Sequence, residues 1–232
     1  MPDANPQLEA MIGKVAKALG PELLKRTAFV GGVTTGLFIT DDIAREDVRF
    51  TDDVDLIIGI MGYGKWVQLQ EELRIRGFQA SSEDEVICRM RLDGLKVDFM
   101  PDDEAVLGFT NRWYALGLTT AVDHQLADET KIRILTPPLF LATKLEAFRG
   151  RGNGDLLASR DLEDILILLD GRKSLSDEIA AGPKEVRQYV QQELNTLAQY
   201  ADFEIAVVGN MRGDAERATL VKKRIQQIAN VE

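Results

Sequence analysis

The segment Arg49-Phe50-Thr51-Asp52-Asp53-Val54-Asp55-Leu56-Ile57-Ile58 constrains this chain most. Val54, Leu56, Ile57 and Ile58 call for a buried strand, and a strand sends successive side chains to opposite faces. Asp53 and Asp55 therefore share a face, and Asp52 points the other way. Two carboxylates side by side repel, so their face needs a cation or water. A hard divalent ion such as Mg²⁺ suits carboxylate oxygens. The plain alternative is a solvated strand edge that happens to be acidic.

Few other reactive groups are present. Cys88 is the only cysteine, which removes a disulfide framework and a cysteine metal cluster. It lies in the strand-like run Val86-Ile87-Cys88-Arg89-Met90 and reads as a small core residue. His124 is the only histidine; a Ser-His-Asp triad would rest on it alone, and the chain has no G-x-S-x-G elbow. Acidic residues, lysines and backbone groups must then carry any chemistry. The net charge is -10, from 38 acidic against 28 basic residues, which disfavours a bulk electrostatic grip on DNA or RNA. A local basic patch can still hold a polyanion. The 232 residues suffice for one large domain or two modest ones, with an ordinary globular composition. No apolar run approaches about 18 residues, and Met1-Pro2-Asp3 opens no signal segment. The expectation is a soluble, cytoplasmic protein without a membrane partner.

Along the chain, Leu8, Met11, Ile12, Val15, Ala16 and Leu19 predict a helix that stops at Gly20-Pro21, with a short further turn through Leu23 and Leu24. Thr27-Ala28-Phe29-Val30 predicts a buried strand, Gly31-Gly32 a turn, and Val33 to Ile39 a short helix. Such a junction offers backbone N–H groups to an anion, or is simply a tight turn that needs glycine. Thr40 to Asp47 reads as a loop. After the D-x-D strand comes a helix marked by Trp66, Leu69, Leu73 and Ile75, both tryptophans (Trp66 and Trp113) being expected in the core. An acidic loop, Ser81 to Glu85, follows. Ile87–Leu92 and Leu95–Met100 predict two strands joined at Asp93-Gly94, a hairpin signal. On the second, Lys96, Asp98 and Met100 share a face. Trp113 to Val122 is ambiguous, and Lys131–Leu135 predicts a strand. From Thr136-Pro137-Pro138 onward the pattern is helical: 139–148, 162–169, 183–200, 202–208 and 214–229. Arg149 to Asp155 is glycine-rich, either a basic loop over a polyanion or a linker. Lys222-Lys223-Arg224 reads as a solvated helix face. The expected fold is α+β, an α/β half and then a helical half, dividing near Thr136.

Three carboxylates, Asp53, Asp55 and Asp98, on strands beside a Gly-Gly turn suit a nucleotide site with two Mg²⁺ ions bridging carboxylates and triphosphate. Gly31-Gly32, then Arg49-x-Thr51-x-Asp53-Val54-Asp55, then Val97-Asp98, resembles the DNA polymerase β-like nucleotidyltransferase superfamily. Pro137-Pro138-Leu139-Phe140-Leu141-Ala142-Thr143-Lys144-Leu145-Glu146-Ala147-Phe148 and Arg160-Asp161-Leu162-Glu163-Asp164-Ile165 narrow the resemblance to AbiEii/MenT-type members, many of them toxins of toxin–antitoxin pairs. It spans roughly residues 27 to 170.

The resemblance implies a nucleotidyltransferase domain with a mixed sheet over residues 1–135 and a helical bundle over 136–232 that completes the nucleotide or acceptor site. It makes Asp53, Asp55 and Asp98 the catalytic metal ligands, with Asp98 also a general base. Gly31, Gly32, Thr51, Lys144 and Asp161 become nucleotide-binding residues. It implies Mg²⁺ as cofactor, an NTP as substrate, an acceptor hydroxyl on a tRNA 3′ end, a protein or a small molecule, and an antitoxin protein as a possible partner. No DNA partner is expected. Two departures stand out: a longer gap between Gly32 and Asp53, implying an inserted loop at Thr40 to Asp47, and Thr51 where many members have Ser. Read without the resemblance, Asp98 is a solvated strand residue, and Lys144 and Asp161 are exposed positions on two neighbouring helices, or Lys144, one turn before Phe148 and three residues after Leu141, borders the core. Two other functions compete: a D-x-D glycosyltransferase, which wants a longer nucleotide-binding domain before the motif, and a non-catalytic regulator.

Overall fold

In the computed structural model, which describes residues 5–151 and 155–230, the D-x-D strand lies at the middle of a mixed sheet. The strands among the described residues are β1 (Thr27–Val30), β2 (Asp53–Ile58), β3 (Phe78–Gln79), β4 (Arg89–Leu92), β5 (Leu95–Pro101), β6 (Val122–Gln125) and β7 (Lys131–Ile134). Across the sheet their order is β3-β4-β5-β2-β1-β7-β6. β2 runs parallel to β5 and antiparallel to β1, and β1 runs parallel to β7. Val54, Leu56, Ile57 and Ile58 are all buried, so β2 is covered on both faces except where its aspartates emerge. The helices Asn5–Leu24 (interrupted at Gly20) and Tyr114–Thr119 pack on β1 and β2. Trp66, Leu69 and Leu73 form the buried stripe of the helix Tyr63–Ile75, and Phe78 meets Phe99 edge to face at 5.4 Å. Trp66 and Trp113 are both core residues.

The chain forms two compact units. One holds the sheet: the described residues up to Thr34, with Arg49–Thr136. The other is helical: Thr35–Val48 with the described residues from Pro137 onward. In the helical unit, the helix Pro137–Arg151 buries residues almost all round from Pro138 to Leu145, the signature of a helix enclosed by others. Its neighbours are the helices Arg160–Gly171, Leu175–Ala181 and Lys184–Leu197.

Several expectations are corrected here. Thr40 to Asp47 is not a simple loop. Asp41 caps a helix over Asp42–Glu46 by accepting hydrogen bonds from the Ile43 and Ala44 N–H groups. Five helical residues are too few to show a period. This segment belongs with the helices rather than with the sheet: Phe38 packs on Phe140 with ring centroids 4.6 Å apart, and Ile39 and Ala44 close on Gly171. The helix Leu175–Ala181 and the two-residue β3 escape the periodicity for the same reason of length. Arg149 and Arg151 end a helix rather than open a loop; Gly152–Gly154 lie outside the described residues. Arg224 does not face solvent alone. Its guanidinium donates to the carbonyls of Leu169 (2.6 Å) and Asp170, closing the end of the helix Arg160–Gly171. No described helix is long and apolar enough to cross a membrane.

Candidate metal centre

Strand register brings the charged residues into one row. Val30 on β1 stands opposite Asp55 on β2, Asp55 opposite Asp98 on β5, and Asp98 opposite Arg89 on β4. Paired residues on adjacent strands share a face and touch. Asp55 and Asp98 are thus like charges held side by side, and Asp53 adds a third two residues before Asp55. One carboxylate oxygen from each of the three lies within 4.8 Å of the others. Asp98 is only 6% exposed, so it is not the solvated strand residue its position alone suggests; Asp53 and Asp55 are half-buried.

Arg89 sits among these carboxylates. Its Nε donates to Asp98 Oδ1 and its Nη2 to Asp98 Oδ2, each at 2.7 Å, a bidentate fork. The same Nη2 lies 3.5 Å from Asp53 Oδ2. The Asp98 hydrogen bond pushes the Arg89 guanidinium still further above its ordinary range. Arg89 is the residue the sequence reading missed, and its signal was present. A two-residue turn at Asp93-Gly94, both at positive φ, pairs Leu92 with Leu95, and counting outward pairs Arg89 with Asp98. Beside it, burial pushes the Cys88 thiol up to about 12, as expected of an inert core cysteine.

The turn residues make room for charged side chains. Gly31 has φ 73°, and a Cβ there would lie 1.8 Å from Asp55 Oδ2. A Cβ on Gly32 would lie 2.3 Å from Arg49 Nη2. Gly31 is therefore required where Asp55 presses against the backbone, whereas the atoms facing Gly32 are the movable end of the Arg49 side chain. Thr51 Oγ1 donates a short hydrogen bond to Asp53 Oδ1 and fixes that carboxylate. Asp52 is exposed and accepts from Lys96 Nζ at 2.8 Å, a bond that lowers its pKa. Such surface pairs contribute little, so Asp52→Asn should change the unfolding free energy by no more than about 1 kcal/mol, read from the urea midpoint.

Lys144 and Asp161 lie in the helical unit and are brought together there. Both are buried: Lys144 follows its core-bordering reading, and Asp161 is not the exposed helix position it could have been. Lys144 Nζ is 2.7 Å from Asp164 and 3.3 Å from Asp161, and Arg151 forks onto Asp161 at 2.9 and 3.0 Å. Arg151, expected in a basic loop over a polyanion or in a linker, instead holds Asp161, and Asp164 is a partner of Lys144 that the motif alone does not mark. Helical spacing from Asp161 to Asp164 puts both on the face that meets Lys144. His124 stands half-buried on the edge strand β6 and takes no part in either cluster.

An all-oxygen set of three converging carboxylates fits a hard divalent ion and does not fit a soft one. Comparison of the chain with protein-family models and with curated proteins finds no match.

Proposed function

We propose that this protein is a divalent-metal-dependent nucleotidyltransferase of the DNA polymerase β-like superfamily, transferring a nucleoside monophosphate from an NTP to an acceptor hydroxyl. One observation carries the reading: Asp53, Asp55 and Asp98 converge within 4.8 Å at the end of a Gly31 turn that lies flush against Asp55. Mg²⁺ held by the three carboxylates would supply charge neutralisation for a triphosphate and lower the pKa of an acceptor hydroxyl. The protein's own residues prepare for that. Thr51 orients Asp53, the Gly31 conformation orients Asp55, and strand pairing fixes Asp98 beside them. Asp98 is the carboxylate assigned to take the acceptor's proton, and both of its oxygens accept N–H groups from Arg89. The roles of Lys144 and Asp161 toward the nucleotide, the acceptor (tRNA 3′ end, protein or small molecule) and an antitoxin partner belong to this proposal through the sequence resemblance.

The test uses the full chain with Mg²⁺, each α-labelled NTP in turn, and cell extract. Wild type should release pyrophosphate and label a product, and Asp53→Asn should do neither. Equal behaviour of the two proteins, with no label from any NTP, would sink the reading. Growth arrest on expression, lost in Asp53→Asn, would place the protein among the toxin-like members.

A further inference from the structure

We infer that the Arg89 guanidinium is a resident counter-cation of the carboxylate cluster, which a divalent ion must displace from Asp98 in order to bind. The inference rests on the proposed metal site and goes beyond it by assigning a residue that opposes metal binding.

Three observations lead there. The first is register: β4 and β5 place Arg89 directly opposite Asp98, so the guanidinium cannot leave by backbone slippage, only by rotation of its side chain. The second is occupancy. The fork engages both Asp98 oxygens at 2.7 Å, and Nη2 lies between Asp98 and Asp53, at 2.7 and 3.5 Å. An ion bridging those two carboxylates would need that space. The third is charge. A guanidinium and a divalent ion a few ångströms apart repel strongly in a partly buried site. The Arg89 side chain is 15% exposed and Asp98 is buried, so water screens the pair poorly.

The two ways Arg89 can serve the site differ in sign. A residue that only orients Asp98 strengthens metal binding, and removing it weakens the site. A residue that holds the metal's place weakens metal binding, and removing it strengthens the site while taking from the metal-free protein the guanidinium that bridges Asp98 and Asp53. The position of Nη2 between two carboxylates favours the second.

The experiment measures Mn²⁺ affinity of the full chain by electron paramagnetic resonance of free Mn²⁺, alongside thermal melts with and without Mn²⁺. The proteins are wild type, Arg89→Gln, Arg89→Lys and Asp53→Asn. Arg89→Gln should bind Mn²⁺ about tenfold tighter than wild type, the change expected from removing one close like charge. It should melt lower than wild type without metal and regain the difference with Mn²⁺. Arg89→Lys keeps the charge but loses the fork; it should tighten binding by a smaller factor, and it carries the test if Arg89→Gln does not fold. Unchanged or weaker Mn²⁺ binding in folded Arg89 variants overturns the inference while leaving the metal site standing. If wild type and the Arg89 variants bind Mn²⁺ no better than Asp53→Asn, the metal site falls and the inference with it.

Discussion

Lys144→Met should lower the unfolding free energy by about 3–5 kcal/mol, read as a fall in the urea midpoint. Lys144 is 5% exposed, and its ammonium sits 2.7 Å from Asp164, whose side chain is 1% exposed. Removing the cation leaves that carboxylate buried without it. The cost is that of keeping a carboxylate buried without the ammonium 2.7 Å away, so Lys144→Met combined with Asp164→Leu should be more stable than Lys144→Met alone. Asp161→Asn should be milder, because Lys144 keeps Asp164 and Arg151 is largely exposed. Asp161 also gives a pH signature. Burial raises its pKa, but the Arg151 fork and the Lys144 charge pull it down further, leaving it below the ordinary value. A lowered carboxyl pKa stabilises the fold above the unfolded value, about 4, and that stability is lost as pH falls through the lowered value. The gap between wild type and Asp161→Asn should therefore be full at neutral pH and shrink below about pH 4.

Gly31→Ala should act on stability and on the carboxylate cluster together. At φ 73° a Cβ carries backbone strain of about 1–3 kcal/mol. The new methyl would also lie 1.8 Å from Asp55 Oδ2 and 2.8 Å from Asp55 Cβ. The carboxylate can swing away, but the Asp55 Cβ is tied to β2, so backbone has to move as well. Mn²⁺ affinity should fall with stability, because Asp55 leaves the position from which it converges on Asp53 and Asp98. Gly31→Ala in an Asp55→Gly background keeps the φ strain and loses the collision. The two changes should therefore be less than additive, and strict additivity in urea unfolding would refute the collision.

Both substitutions touch residues that the sequence brought forward, yet for partly different reasons. Asp53 and Asp55 were legible because alternation on a strand is local: two residues apart means one face. Asp98 was legible as a strand position but not as a buried one, since its burial depends on β5 pairing in parallel with β2, a contact between distant segments. Gly31 was visible as a turn former, but its tight fit against Asp55 arises only once β1 and β2 pair. Arg89 lay within reach of a hairpin count from Asp93-Gly94, but its place between Asp98 and Asp53 depends on β5 also pairing with β2. Lys144 could be placed near the core boundary by helical spacing, but its two aspartates come from another helix. The short helix Asp42–Glu46 had its cap, Asp41, written in the sequence, without the length that makes a period readable.

The chain crosses between its two units at Thr34, at Val48 and at Thr136. This connectivity governs how the protein can be dissected. A fragment ended at Thr136 would retain Phe38, Ile39 and Ala44 while losing Phe140 and Gly171, the surfaces that cover them. It would present fresh apolar area to solvent and tend to self-associate. A fragment begun at Pro137 would carry the complementary defect. Truncation at the division near Thr136 that the sequence suggests is therefore the wrong cut: an isolated sheet domain has to lose Thr35–Val48 as well, and an isolated helical domain has to gain it back.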